Sequence, residues 1–188
     1  LASVLKEVVM LQRKWILQVD RGVFRNNVDV VVPRESFAIV ITGVRRCGKS
    51  TLLSQLITKQ KKFYYLNLED PRLDGFGLED FKKVEDIFKE LYGDGGVYFF
   101  DEIQNVPNWE KYIRHLVDTK NKVVLTGSNA SLLSRELGTR LTGRHLNYEL
   151  FPFSYSEFLK LSKLKDSSSS YNNFLNKGGF PEYLLRKD

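Results

Sequence analysis

Ala38–Thr51, AIVITGVRRCGKST, is the stretch whose reading decides the fold. The run from Ala38 to Thr42 is apolar up to its last residue and enters a glycine, the pattern of a short buried strand. Gly43-Val44-Arg45-Arg46-Cys47-Gly48-Lys49-Ser50 then fits G-x-x-x-x-G-K-[ST]. From Lys49 the period changes: Leu52, Leu53, Leu56 and Ile57 share one face of a helix expected over 49–60. A strand, a glycine-bounded loop and a helix in that order suit one task. Glycines let successive backbone N–H groups curl toward one anion, and the helix adds the positive end of its dipole. Lys49 is placed to reach the β- and γ-phosphates of a nucleotide, and the Ser50 hydroxyl to bind Mg²⁺. Gly43, Val44, Arg45, Arg46, Cys47, Gly48 and Thr51 complete the cradle. Arg45 and Arg46 face solvent, a partner or the phosphates. Cys47 reads as a tolerated small residue rather than a nucleophile.

Working outward, Val97–Glu102, VYFFDE, is a buried strand ending in two acids. After a phosphate loop, Asp101 is expected to support the magnesium shell and Glu102 to polarise an attacking water. Val123–Asn129, VVLTGSN, ends another strand in small polar residues. Ser128 or Asn129 could set a polar group beside the γ-phosphate; the alternative is a simple helix cap. Arg140 and Arg144 flank Leu-Thr-Gly before a fifth strand. One of them is a candidate to stabilise phosphoryl charge from a neighbouring subunit, and the alternative is a surface or structural arginine.

The remaining chain alternates strands and helices. Strands are expected at 28–32, 63–68 and 146–150, and helices at 4–19, 78–92, 109–117, near 131–137 and over 154–164. In the first helix Val4, Val8, Leu11, Trp15 and Val19 form the expected buried stripe. Alternation of this kind argues for a parallel sheet covered on both faces. Pro152 marks a change of character, and Ser167–Ser170 reads as a flexible loop. The division expected is an N-terminal extension (1–36), a nucleotide core (37–151) and the start of a helical lid (152–188).

Composition narrows the classes further. With 188 residues, one medium domain is expected. No apolar run approaches the roughly 20 residues that span a bilayer, and the first residues do not read as a signal peptide. The chain lacks an initiator Met, so its natural start is expected upstream. A lone cysteine suits a reducing cytoplasm. The net charge is +6, but the bases are interleaved with acids, as in Lys82-Lys83 beside Glu85-Asp86, and read as solvated faces rather than a nucleic-acid site.

Taken together, Gly43–Thr51, Phe100–Trp109 (FDEIQNVPNW), Leu125–Leu133 (LTGSNASLL), Leu141–Arg144 and Tyr148–Phe158 resemble the prokaryotic AAA+-like P-loop ATPases. The loop with two arginines is also similar to that of archaeal ATPases related to signalling NTPases with fused domains. The resemblance covers residues 37–185. It implies an α/β P-loop NTPase fold of the additional-strand type, with a parallel five-stranded sheet in order 5-1-4-3-2, helices on both faces and a partial helical lid. It implies Asp101 in the Walker B role, Glu102 as base, Ser128 or Asn129 as sensor, and Arg140 or Arg144 as finger. Gly178–Pro181 is similar to a lid motif whose proline, here Pro181, packs near adenine. The expected cofactors are ATP and Mg²⁺, and the expected activity is ATP hydrolysis that drives or switches a further C-terminal domain. A homo-oligomer, DNA or another protein are the expected partners. The alternatives are a slow-turnover module that acts by nucleotide-dependent assembly, and a kinase on a small substrate. No guanine-recognition motif of the Asn-Lys-x-Asp kind is present, which favours adenine.

Overall fold

Five short strands rich in β-branched and aromatic residues form one parallel sheet: β1 (Ala38–Thr42), β2 (Phe63–Asn67), β3 (Val97–Asp101), β4 (Val123–Gly127) and β5 (His145–Glu149). Their order is β2-β3-β4-β1-β5, the expected 5-1-4-3-2 order read from the other edge. In this computed structural model the described residues are 2–26, 31, 33–128, 141 and 143–185. The expected strand at 28–32 and helix near 131–137 fall largely or wholly outside them; Val31 is described, is buried and is not in a strand. Every residue of β1, β3 and β4 is buried, which is why those strands read as apolar runs and not as alternating ones. The edge strand β5 is mostly exposed or half-buried.

The helices are α1 (Ala2–Gln18), α2 (Lys49–Ile57), α3 (Asp80–Tyr92), α4 (Trp109–Asp118), α5 (Tyr155–Ser162), α6 (Ser168–Lys177) and α7 (Pro181–Leu185). Successive strand residues point to opposite faces, and two cores result. Val40, Leu66, Phe100 and Leu125 meet Phe81, Phe88, Trp109 and Ile113 of α3 and α4 on one face. Ile39, Ile41, Phe99 and Val124 meet Leu52, Leu53 and Leu56 of α2 on the other. Phe81 stacks on Tyr112 with ring centroids 4.3 Å apart and meets Phe100 edge-on.

The first helix differs from the expected stripe. Its buried row is Leu5, Val8, Val9, Gln12 and Ile16, while Val4, Leu11 and Trp15 are exposed and Val19 is half-buried. Both rows are apolar at helical spacing, so periodicity alone cannot choose between them. The edge of the sheet decides. Leu5, Val8 and Val9 join the first core and Ile16 the second, so α1 passes over the β2 edge. At the crossing, Gln12 accepts from Asn67 N at 2.7 Å and donates to Asn67 O at 3.0 Å. Arg13 donates to Phe63 O and lies over the Phe63 and Tyr92 rings at 3.9 and 4.1 Å. Two side chains thereby occupy ladder positions that an edge strand otherwise leaves open.

Ser167–Ser170, expected as a flexible loop, instead starts α6. Ser167 is its N-cap, and Ser167 and Ser170 form a reciprocal capping box. Four serines read as low complexity, yet serine three residues after serine is also a helix-start signal. Ser154 and Glu157 cap α5 in the same way.

Gln12→Leu removes the bonds to Asn67 while keeping the helix apolar. It should destabilise the fold by about 1–3 kcal/mol, the cost of leaving buried backbone groups unpaired. Urea unfolding monitored by tryptophan fluorescence would measure this; an unchanged midpoint would mean that apolar contacts alone dock α1.

Candidate functional site

At the C-terminal end of β1 the chain turns sharply. Gly43 has φ 150°, and a Cβ there would lie 2.2 Å from the carbonyl oxygen of Leu150, so only glycine passes beneath the β5 exit. Arg46 and Gly48 follow in left-handed conformations, at φ 68° and 101°. Gly48 is the N-cap of α2 and has no side chain to cap it. The first-turn N–H groups of α2 therefore have no side-chain cap from that position, the arrangement of an anion site. Lys49 is buried and folds back over its own loop, donating to Gly43 O and Val44 O at 3.3 Å each. Its Nζ lies 3.7 Å from the Glu102 carboxylate. The Cys47 thiol is fully buried, and burial pushes its pKa up, which fits an inert packing residue.

Asp101 ends β3 with no exposed surface. It accepts hydrogen bonds from the hydroxyls of Thr126, Ser50 and Tyr65. Burial pushes its carboxyl above the usual range; the three hydroxyls oppose that, while the Glu102 charge adds to it. Glu102 donates its backbone N–H to Thr126 Oγ1 at 2.9 Å. Gln104 Nε2 donates to Glu102 Oε2 at 2.6 Å and to Ser128 Oγ at 3.3 Å, while Gln104 Oε1 is buried with no hydrogen-bond partner among the described residues.

Two cavities meet at the start of α2. The larger, about 370 Å³, is lined by Arg46, Lys49, Ser50, Glu102 and Glu182. The smaller, about 150 Å³ and more enclosed, lies between Asp20, Gly22, Val23 and Arg25 on one side and Phe153 and Leu161 on the other. Gly48, Thr51, Pro181 and Leu185 border both. Pro181 lies 4.0 Å from where a Cβ on Gly48 would sit. The loop arginines diverge: Arg45 pairs with Glu69 beyond β2, and Arg46 with Glu182 of α7.

Arg25 ties these parts together. Its guanidinium donates to Cys47 O at 3.1 Å in the loop and to Phe151 O at 2.6 Å after β5. Its Nε lies 3.0 Å from Glu157 of α5, both side chains being buried. Burial opposes the Glu157 charge, but the N–H groups of Ser154 and Asn26, the Arg25 charge and the Ser154 hydroxyl outweigh it and hold that carboxyl below its ordinary range.

The structure thus gathers Gly43–Thr51, Asp101, Glu102 and Pro181 around one site, with Ser128 linked to Glu102 through Gln104. Arg144, grouped with these residues on sequence, is not brought to them. It precedes β5, at the end of the sheet opposite the loop, about 16 Å away along a five-residue strand. There its guanidinium pairs with Asp118 of α4, and its backbone oxygen accepts from Ala38. Asn129 and Arg140 lie outside the described residues. Arg25, Gln55, Gln104 and Thr126 are contributors that the sequence reading missed. Thr126 follows Leu125, which pairs with Phe100, so it reaches Asp101 once the strand order is known. Gln55 carried a signal as a polar residue amid Leu52, Leu53, Leu56 and Ile57.

Residues 35–159, more than half of the chain, match the family described as AAA domain. An uncharacterized protein of Methanocaldococcus jannaschii is 40% identical over 162 residues, covering 79% of this chain and 36% of its own length. An uncharacterized protein of Haemophilus influenzae is 36% identical over 165 residues, covering 79% and 40%. The chain therefore spans 36–40% of the length of these curated relatives. Among solved structures, AMPPCP-bound DnaA from Aquifex aeolicus aligns over 95% of this chain and 59% of its own, at TM-score 0.49 and 15% identity. PCH-2 from C. elegans aligns over 94% and 47%, at TM-score 0.44 and 18% identity.

Glu157 has a folded pKa below its unfolded value, so the stability it contributes is present above about pH 4.3 and is lost as pH falls through the folded value. Glu157→Gln should be less stable at neutral pH by about 3–5 kcal/mol, because Arg25 is left buried and unpaired. It should also lose less stability than the parent protein between about pH 5 and pH 2. Thermal melts across that range would check both, and parallel slopes would remove Glu157 from the acid response.

Proposed function

The chain belongs to the AAA domain family, and on that premise we propose that it binds ATP with magnesium and hydrolyses it to ADP and phosphate. The observation that carries this reading is the convergence of Lys49, Ser50, Asp101 and Glu102 beside one uncapped helix start. Lys49 gives up its contacts with Gly43 O and Val44 O to the β- and γ-phosphate oxygens, which offer a stronger charge-assisted bond. Glu102 accepts a proton from a water molecule as that water attacks the γ-phosphorus and the bond to the ADP oxygen breaks. Thr126 fixes both acids at once, through the Asp101 carboxylate and the Glu102 N–H.

The donor set fits magnesium. Ser50 and Asp101 offer oxygen only, as a hard cation requires. Among the described residues no group of three or more His, Cys, Asp or Glu is placed to hold a metal, and magnesium held by one carboxylate, one hydroxyl, water and phosphates needs none. The bound ion would neutralise phosphate charge and relieve the buried Asp101 carboxylate. The enclosed cavity beside Gly22 and Val23 takes the base, and the larger one the phosphates. The Arg46–Glu182 pair then offers a route from phosphate occupancy to the lid helices, and from them to whatever effector the protein carries. Arg144 can act only from a neighbouring copy.

One contact favours a second reading, a slow-turnover switch. Gln104 holds a Glu102 oxygen at 2.6 Å, which restrains the base from reaching water. A third class, phosphoryl transfer to a small acceptor, is separated by measuring phosphate release with no acceptor present.

Lys49→Ala should abolish ATP binding or nearly so, read by isothermal titration with Mg²⁺; near-parental affinity would sink the loop assignment. Glu102→Gln should keep binding but lower turnover by about 10²-fold or more. Gln104→Ala separates the two rates of cycle: turnover should rise if Gln104 restrains the base, and fall if it orients it.

A further inference from the structure

We propose that Gln55 is a positioning residue for base recognition, acting through the backbone of residues 21–25; this rests on the assignment of the enclosed cavity to the nucleotide base. Gln55 stands on α2 one turn beyond Thr51 and is fully buried. Its Nε2 donates to Arg21 O at 2.7 Å and to Val23 O at 3.0 Å, and its Oε1 accepts from Arg25 N at 3.2 Å. All three partners are backbone atoms of one short run that is neither helix nor strand. Among the described residues no backbone–backbone hydrogen bond holds that run. The amide of Gln55 therefore stands in for the neighbouring strand that the run lacks.

Gly22 and Val23, the middle of this run, wall the cavity, and Asp20 and Arg25 border it. An apolar residue at 55 leaves a buried N–H and two half-buried carbonyls without their partner, and the run must shift to find others. The wall shifts with it. The phosphate cradle is shaped mainly by Gly43 beneath Leu150 O and by the start of α2, and shares with the run a single bond, from the Arg25 guanidinium to Cys47 O. Loss of Gln55 should consequently separate the two halves of a nucleotide: binding of the base weakens while binding of the polyphosphate persists.

The test is calorimetric titration, with Mg²⁺, of ATP and of inorganic tripolyphosphate. The parent protein should bind ATP more tightly than tripolyphosphate. In Gln55→Met, which conserves volume, that advantage should shrink by about tenfold or more, while tripolyphosphate affinity stays near the parental value. A merely structural role would weaken both ligands together, and that outcome overturns the proposal, as does an undiminished ATP advantage. Should Gln55→Met fail to fold, Gly22→Pro makes the same test from the surface. Gly22 is exposed at φ 54°, has no neighbour within 4 Å of an added Cβ, and holds a conformation closed to proline. It should show the same selective loss, and an unchanged ATP advantage in it overturns the proposal equally. A parent protein that binds neither ligand would overturn the nucleotide reading itself, and this proposal with it.

Discussion

One buried guanidinium holds together parts of the chain that lie far apart in sequence. Arg25 touches Cys47 in the loop, Phe151 and Pro152 after β5, and Glu157 in α5. Its ring contact with Phe153, 4.9 Å from the centroid, fixes the plane of the group. Removing two charges from water is expensive, and a buried pair is net favourable only if its other donors and acceptors are also satisfied. Here most of them are: Arg25 adds three carbonyl acceptors, and Glu157 adds the N–H groups of Ser154 and Asn26, while Arg25 Nε, 3.0 Å from Glu157, makes no hydrogen bond among the described residues. Such a pair adds less to net stability than to uniqueness. Any other seating of α5 against the loop would leave a charge stranded, which favours one arrangement of the walls of the enclosed cavity.

The contacts made by the loop's own arginines are of the opposite kind. Arg45–Glu69 and Arg46–Glu182 are largely exposed, and exposed pairs contribute little. They can be exchanged for phosphate oxygens at small cost. Lys49 is similarly provisional, since the two carbonyls that it holds are weaker partners than a triphosphate. The site therefore combines a rigid frame around Arg25 with cations free to change partner.

Much of this was legible in the sequence, and the exceptions share a cause. β1, β3 and β4 read correctly because burial on both faces leaves no alternation to misread, and the loop because its backbone demands glycine at fixed places. The side of α1 was misread because Val4, Leu11 and Trp15 match the helical period as well as Leu5, Val9 and Ile16 do; only the β2 edge, with Gln12 as its partner, breaks the tie. The serine tract was misread because a cap and a linker have the same composition. Arg25 and Gln55 carry no motif at all. Their roles consist in backbone atoms at other positions, which become neighbours only after folding. Arg144 was read as preceding the fifth strand, and in a parallel sheet whose loop follows β1 that order alone places it at the opposite end.

The paired acids raise a geometric difficulty that the backbone resolves. Successive strand residues point to opposite faces, so Asp101 and Glu102, continued as strand, could not both reach the loop. Glu102 leaves the strand in a left-handed conformation, φ 54° and ψ 51°. For a residue other than glycine that costs on the order of 1–2 kcal/mol. Its N–H bonds to Thr126 Oγ1, the hydroxyl that also donates to Asp101, and this shared partner offsets part of the cost. The turn redirects the Glu102 side chain across the strand end. Asp101 then receives Ser50 while Glu102 stands 3.7 Å from Lys49. Backbone strain at such a point persists only where surrounding contacts over-determine it. Here the contacts that do so, Thr126 and Gln104, belong to the same cluster as the acids that they orient.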